Sequence, residues 1–299
     1  MNSFTSPIKE RSEFDSSVDT NSIWKAQLDL GLVKTERGTV LRHCSHKGPL
    51  YVQKPFYPES RELAHLYLLH PPGGMVSGDD LRISVTTQDK AQALITTPGA
   101  GRVYRARPDR RLQKQHIQLN VEANSTLEWL PLENIIFPDA NTELSMDIQL
   151  AEGASVIAWE ITCFGLPASG QHFDRGEVSQ QMQLSREGRI KLRERLNLNP
   201  KANSMMASKA GLAGHSVNGL MIAGPFFDEA AIGELIGQLR ETCDDSQSLT
   251  AVSLNDEFLQ VRYLGNCSEQ ARLLFTQCWK YIRPQLIERE GCEPRIWAT

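Results

Sequence analysis

The sequence predicts a mainly β protein with two helices at its C-terminal end. Three observations carry that prediction. Stretches with apolar side chains at period two fill the chain from about Trp24 to Phe227, turn-forming residues separate them, and helical spacing appears only afterwards. In chain order the alternating stretches are AQLDLGLV, TVLRHCSH, ELAHLYLLH, LRISVTTQ, AQALITTP, HIQLNVEA, STLEWLPL, ELSMDIQL, SVIAWEITCF, VSQQMQLS and RIKLRERLNL. They give an all-β body over residues 23–227, with hairpin-like turns around Gly153 and Gly188. The spacing defines no repeat, so a sandwich, a barrel and β-helical stacking all fit the pattern.

Residues 228–299 read differently, as a helix-hairpin-helix layer on the body, the whole forming one structural unit. In DEAAIGELIGQLRETC, Ile232, Leu235, Ile236 and Leu239 follow helical spacing behind Asp228, a first-turn cap. SEQARLLFTQCWKYIRPQLI repeats the spacing with Leu274, Phe275, Cys278, Trp279 and Ile282, and Ser268 is its expected N-cap. LTAVSL and FLQVRYLG between them read as a hairpin. The apolar helix stripes must lie on the β body or on a partner.

Composition bounds the function. A chain of 299 residues with 40% hydrophobic residues can bury a real core, and 32 Lys+Arg against 36 Asp+Glu leaves a formal charge of -4. No global positive field would gather nucleic acid or an anionic membrane. The six cysteines form no CxxC pair, and no apolar run reaches the roughly 20 residues that span a bilayer. The expectation is a cytoplasmic, soluble protein with a disordered polar tail over residues 1–22.

The richest stretch is LYLLHPPGGMVSGDDL, residues 66–81. A P-loop needs Gly-Lys followed by Ser or Thr, and PPGGMVSGDD has acids there, so neither GTP binding nor hydrolysis is expected of this chain alone. In TTPGAGRVYR, Gly99 and Gly101 lack a third glycine, and a tight strand turn accounts for them. His70, Asp79 and Asp80 are able to ligate a divalent metal if the turn folds back; alternatively the aspartates bond their own backbone. On a strand, Asp79 and Asp80 point to opposite faces.

RHCSH offers a second cluster, but Cys44 and His46 share a strand face while His43 points away, two ligands short of a closed zinc site. No GxSxG and no catalytic histidine context is present. Glu160 and Glu194 each interrupt an alternating or apolar strand, where a buried carboxylate is costly unless it is paired or lines water. A metal-dependent hydrolase using His70, Asp79 and Glu160 is the alternative reading from the residues.

GPLYVQKPFYPE, HLYLLHPPGGMVSGDDL, TTPGAGRVYR, LEWLPLENIIFPDA, AWEITCFGLPASG and the closing EPRIWAT together resemble the UreD (UreH) family of urease accessory proteins, in order from about residue 24 to 299. The resemblance implies a non-enzymatic maturation factor with an elongated β-helix-like or stacked-sheet body. It implies UreF, the GTPase UreG bound through UreF, and the urease apoprotein as partners, and transient nickel(II) in place of a tightly bound cofactor. It also implies an internal tunnel, whose acids fall on Asp79, Glu160 and Glu194, with Gly101 lining it and His70 as a secondary ligand. Many relatives carry Asp in place of Glu160 and Ser in place of Gly101, and Gln171 stands where others have Glu. A tunnel narrowed at one point, short of a hydroxyl at another and weaker for nickel is therefore expected. Nickel(II) in transit must be held weakly, and isolated carboxylates do that where a His/Cys cage would not.

Overall fold

The computed structural model describes residues 24–244 and 248–298; the tail expected over residues 1–22 lies outside the described residues. Period-two patterning becomes strands: β1 (Lys25–Thr35), β2 (Gly38–Lys47), β3 (Tyr51–Val52), β4 (Leu63–Leu69), β5 (Asp80–Gln88) and β6 (Gln92–Thr96). Next come β7 (Gly101–Val103), β8 (Gln113–Val121), β9 (Thr126–Trp129), β10 (Asn134–Ile136), β11 (Asn141–Leu150) and β12 (Ser155–Leu166). The remainder are β13 (Gln171–His172), β14 (Glu177–Arg186), β15 (Arg189–Leu198), β16 (Val217–Gly224), helix α1 (Glu229–Asp244), β17 (Leu249–Asn255), β18 (Phe258–Gly265) and helix α2 (Ser268–Ile287).

Two sheets result. The first has seven strands in the order β15-β14-β11-β8-β5-β1-β2; the main path of the second is β17-β18-β16-β12-β9-β6-β4-β3. From β4 to β14 the long strands alternate between the sheets, and within each sheet their neighbours are parallel: β5, β8, β11 and β14 in one, β4, β6, β9 and β12 in the other. The turn around Gly153 is thus no hairpin, because it carries the chain from β11 across to β12. Gly188 does close a hairpin, β14–β15. Antiparallel strands flank the parallel stack on both sides of both sheets.

The alternation sends one set of side chains between the sheets, where Leu28, Leu66, Val85, Leu119, Ile148, Val156 and Leu184 are fully enclosed. The opposite face of β12, with Ile157, Trp159 and Ile161, joins a second core beneath the helices. Hairpin β17–β18 extends the second sheet through β16, and α2 packs on β12, β16 and β18. Asp228 caps α1 as expected: its Oδ1 accepts from the Ala230 and Ala231 N–H groups at 3.0 and 3.1 Å. Ser268 does not cap α2. It is the first helical residue, Cys267 holds the cap position, and the Ser268 hydroxyl donates to Glu133 at 3.3 Å instead.

Charge also fastens α2. Arg283, fully buried, donates to both oxygens of the fully buried Glu128 at 3.0–3.2 Å and to both oxygens of Glu59 at 2.7 and 2.9 Å. Trp279 donates to Glu128 at 2.6 Å, and His65 faces Glu59 at 2.8 Å. The Trp297 ring of the terminal motif lies 5.7 Å from Trp159 and 6.0 Å from Trp279, and its Nε1–H donates to Thr96 at 2.9 Å.

Candidate functional site

Two cavities lie between the sheets. The first, about 300 Å³, is bounded by Leu81 and Ile83 of β5, Gln115 and Ile117 of β8, Met146 of β11, and the β6–β7 turn; His70, Gly101 and Glu160 line it. The second, about 270 Å³, is bounded by Gln180 and Met182 of β14, Glu194 and Leu196 of β15, Leu220 of β16 and Arg262 of β18. Glu160 lines both.

The position of Glu160 follows from strand parity. On β12, Val156, Ala158, Thr162 and Phe164 face the inter-sheet core, and Glu160 shares their face. Its carboxylate accepts one hydrogen bond, from Gln180 Nε2 at 3.3 Å; the same amide donates to Thr162 at 3.1 Å. Glu160 is half-buried, and it borders both cavities. Burial pushes its carboxyl up to about 7, against the opposing effect of the Gln180 bond. Near neutral pH this group therefore exchanges between carboxylic acid and carboxylate.

Glu194 lies on the inner face of β15 and bonds the Arg262 guanidinium, which also donates to Gln260 at 2.7 Å. This pair is partly exposed, at 35% and 41% of the side chains, so salt screens it. His70 is half-buried at the end of β4, and burial pushes its imidazole down, toward the neutral form that ligates metals. Gly101 lines the first cavity where a Cβ would overlap Asn134 Oδ1, so Asn134 already occupies the space of a side chain and supplies the polar atom there.

Asp79 is placed differently. It is 5% exposed and belongs to the lining of neither cavity. Its Oδ2 accepts from the Val76 N–H at 2.8 Å, closing the Pro-Gly turn on itself. Burial pushes its carboxyl up, opposed by that N–H and by the charge of Arg107. Asp80 points to the other face and pairs with Arg82 at 3.0 Å. His43, Cys44 and His46 are exposed on edge strand β2, and Gln171 is exposed on β13.

Among the described residues no three His, Cys, Asp or Glu side chains gather at metal-binding distance, so the ligand set of the hydrolase reading, His70, Asp79 and Glu160, is not assembled. All six cysteines are free, and no helix among the described residues is long and apolar enough to cross a membrane. Sequence reading missed Gln180, Asn134 and Arg262. A polar residue at an inward position of an alternating strand was the signal available for Gln180 and Arg262. Asn134, on a three-residue strand, gave none.

Two stacked, mainly parallel sheets with carboxylate-bordered cavities between them and a helical layer on one face define the structural class of this chain. The family model described as "UreD urease accessory protein" matches residues 25–298, and this chain belongs to that family. It is 55% identical to the urease accessory protein UreD of Marinomonas sp. (strain MWYL1) over 283 residues, 93% of this chain and 91% of the relative. The corresponding protein of Methylobacillus flagellatus is 40% identical over 276 residues, covering 92% and 95%, and that of Psychromonas ingrahamii 37% identical over 293 residues, covering 92% and 94%.

Proposed function

We propose that this chain is a scaffold for urease maturation that, with UreF and the GTPase UreG, docks on apo-urease and passes nickel(II) through its interior. The observation that carries the route is Glu160, one carboxylate bordering both cavities. His70 and Glu160 in the first cavity, then Glu160 and Glu194 in the second, form a series of isolated borderline and hard donors, each able to take a hydrated divalent ion briefly. Successive weak positions favour passage over storage. Glu160 takes the ion as carboxylate and releases it more readily when protonated, which suits a group poised near neutrality. Glu194 must exchange Arg262 for the ion, and the partial exposure of the pair keeps that exchange inexpensive.

The test is co-expression of urease with its accessory proteins and Glu160→Gln, Glu194→Gln or both. Each amide removes charge while nearly keeping shape. Urease nickel content is expected to fall partially for one substitution and further for two, with UreF binding retained. Full nickel loading by the double variant refutes the route, and loss of UreF binding shows that these acids are structural.

A further inference from the structure

Outside the cavities, the least explained feature is charge. From Gly101 to Lys114 the chain carries Arg102, Arg105, Arg107, Arg110, Arg111 and Lys114 against one acid, Asp109. Arg110 pairs with Asp139 at 2.6 Å and Arg111 with Asp109 at 3.4 Å. Arg102, Arg105, Arg107 and Lys114 are exposed, and among the described residues none of them forms a direct ion pair. Arg107 has a carboxylate in its field, Asp79, but that group is buried and bonded to its own turn. A chain of formal charge -4 thus concentrates positive charge in one place.

The backbone that presents these cations is fixed. Met75 N–H donates to Arg102 O at 2.8 Å, Tyr104 N–H to Met75 O at 3.0 Å, and Arg107 N–H to the Ser77 hydroxyl at 2.7 Å. The buried Gln113 amide donates to Met75 O and Tyr104 O at 3.0 and 2.8 Å. Val103 and Ala106 are buried, while Arg102, Arg105 and Arg107 are exposed. The N–H of Lys114 donates to Asp79 O at 2.8 Å, bringing a fourth cation to the same turn. Arg102 also lines the first cavity, beside the exposed Pro98 and Gly99 that mark its mouth.

We propose that this basic strip is the docking surface for an acidic, carboxylate-rich segment of a protein partner laid across the mouth of the first cavity. Three of the four free cations are arginines, whose planar forks match carboxylates two bonds at a time. A strip already ordered by backbone and Gln113 hydrogen bonds loses little freedom on binding. Single-stranded nucleic acid is disfavoured because its binding surfaces interleave cations with exposed aromatic rings. The aromatic ring within the strip, Tyr104, is half-buried, edge-on against Phe137 at 5.1 Å.

The strip's role follows from its sign and rests on the nickel-route reading, although the docking itself does not. Unpaired cations at a cavity mouth repel a free divalent ion. Nickel therefore enters there when a docked acidic segment has neutralised the strip, and bulk metal is kept out at other times.

The full chain is titrated with a labelled hexaglutamate peptide and, separately, with a hexauridylate RNA, at roughly 50 and 200 mM salt. The peptide is expected to bind 1:1 and to weaken about tenfold at the higher salt. The combined variant R102E/R105E/R107E should abolish binding, and R102K/R105K/R107K, which keeps the charge but not the forks, should bind severalfold more weakly than wild type yet still measurably. If the charge-reversed triple fails to fold, R105E and R107E singly should each weaken binding severalfold. Peptide binding unchanged by charge reversal, or RNA bound more tightly than peptide, overturns the proposal. E160Q/E194Q should bind the peptide normally, so full nickel loading of urease with that double variant refutes the route and leaves the docking result standing.

Discussion

Replacing Glu160 with Gln tests whether a charge is kept inside the body at the expense of stability. An ordinary glutamate value of 4.5 becomes about 7 in the folded protein. Between these two values the native state binds more protons than the unfolded state, so stability falls as pH rises through that window. Below about pH 4.5 this contribution is absent; above about pH 7 it is complete. At about 1.4 kcal/mol per pKa unit the cost at pH 8 is roughly 3 kcal/mol, an upper figure because hydration in the cavities offsets part of it. Gln cannot ionise and keeps a carbonyl to accept from Gln180. Thermal unfolding of wild type and Glu160→Gln, followed by circular dichroism at pH 5, 6, 7 and 8, is the assay. The melting temperatures should nearly coincide at pH 5, and the variant should melt higher at pH 8, by up to about 6 °C at roughly 2 °C per kcal/mol. A difference that does not grow with pH, or a variant less stable throughout, refutes the assignment of Glu160 as a costly buried acid.

Arg283→Met should destabilise the chain by about 3–5 kcal/mol, because it strands the buried Glu128 and Glu59 carboxylates; chemical denaturation measures this, and a neutral outcome shows that the network carries no stability. Glu59 adds an acid limit. Burial alone would raise its carboxyl, but hydrogen bonds from His65 and Arg283 and their charges bring it down to about 2. Its stabilisation is present above about pH 4.5 and lost as pH falls toward 2, so Glu59→Gln should flatten the pH dependence of the melting temperature there. Asp79→Ala should loosen the Pro-Gly turn by about 1 kcal/mol, whereas Asp79→Asn keeps the acceptor for the Val76 N–H and should be near neutral. A loss of nickel transfer in Asp79→Asn equal to that of Glu160→Gln would put Asp79 on the route.

What the sequence disclosed depended on whether a residue's surroundings differ on its two sides. Strands with one face in the inter-sheet core and the other in solvent, such as β1 and β11, show the alternation plainly. β16, VNGLMIAG, did not, because it is buried on both faces, between the second cavity and α2, and its apolar run carries two glycines and no period. Glu160 stood out as a charge inside an apolar strand. The same test applied to Glu128 in STLEWLPL would have marked it, but its partner Arg283 lies 155 residues away and only tertiary structure joins them. Asp79 drew attention through its turn, and period two correctly separated it from Asp80. Whether it reached a cavity depended on the bond to Val76, which no local pattern encodes.

The alternation of the long strands between two sheets sets a length scale. The cavities are crossed by β5, β8 and β11 and then by β14 and β15, so they succeed one another along the direction in which strands are added. At roughly 4.8 Å per strand, those four steps span about 19 Å. Both ends of the stack are closed by antiparallel strands, which makes the interior a modular segment between fixed caps. One further pair of parallel strands, one in each sheet, would lengthen the interior by a single strand spacing and leave the antiparallel caps as they are. A body built this way sets the length of its interior by counting strands, without redesigning either end.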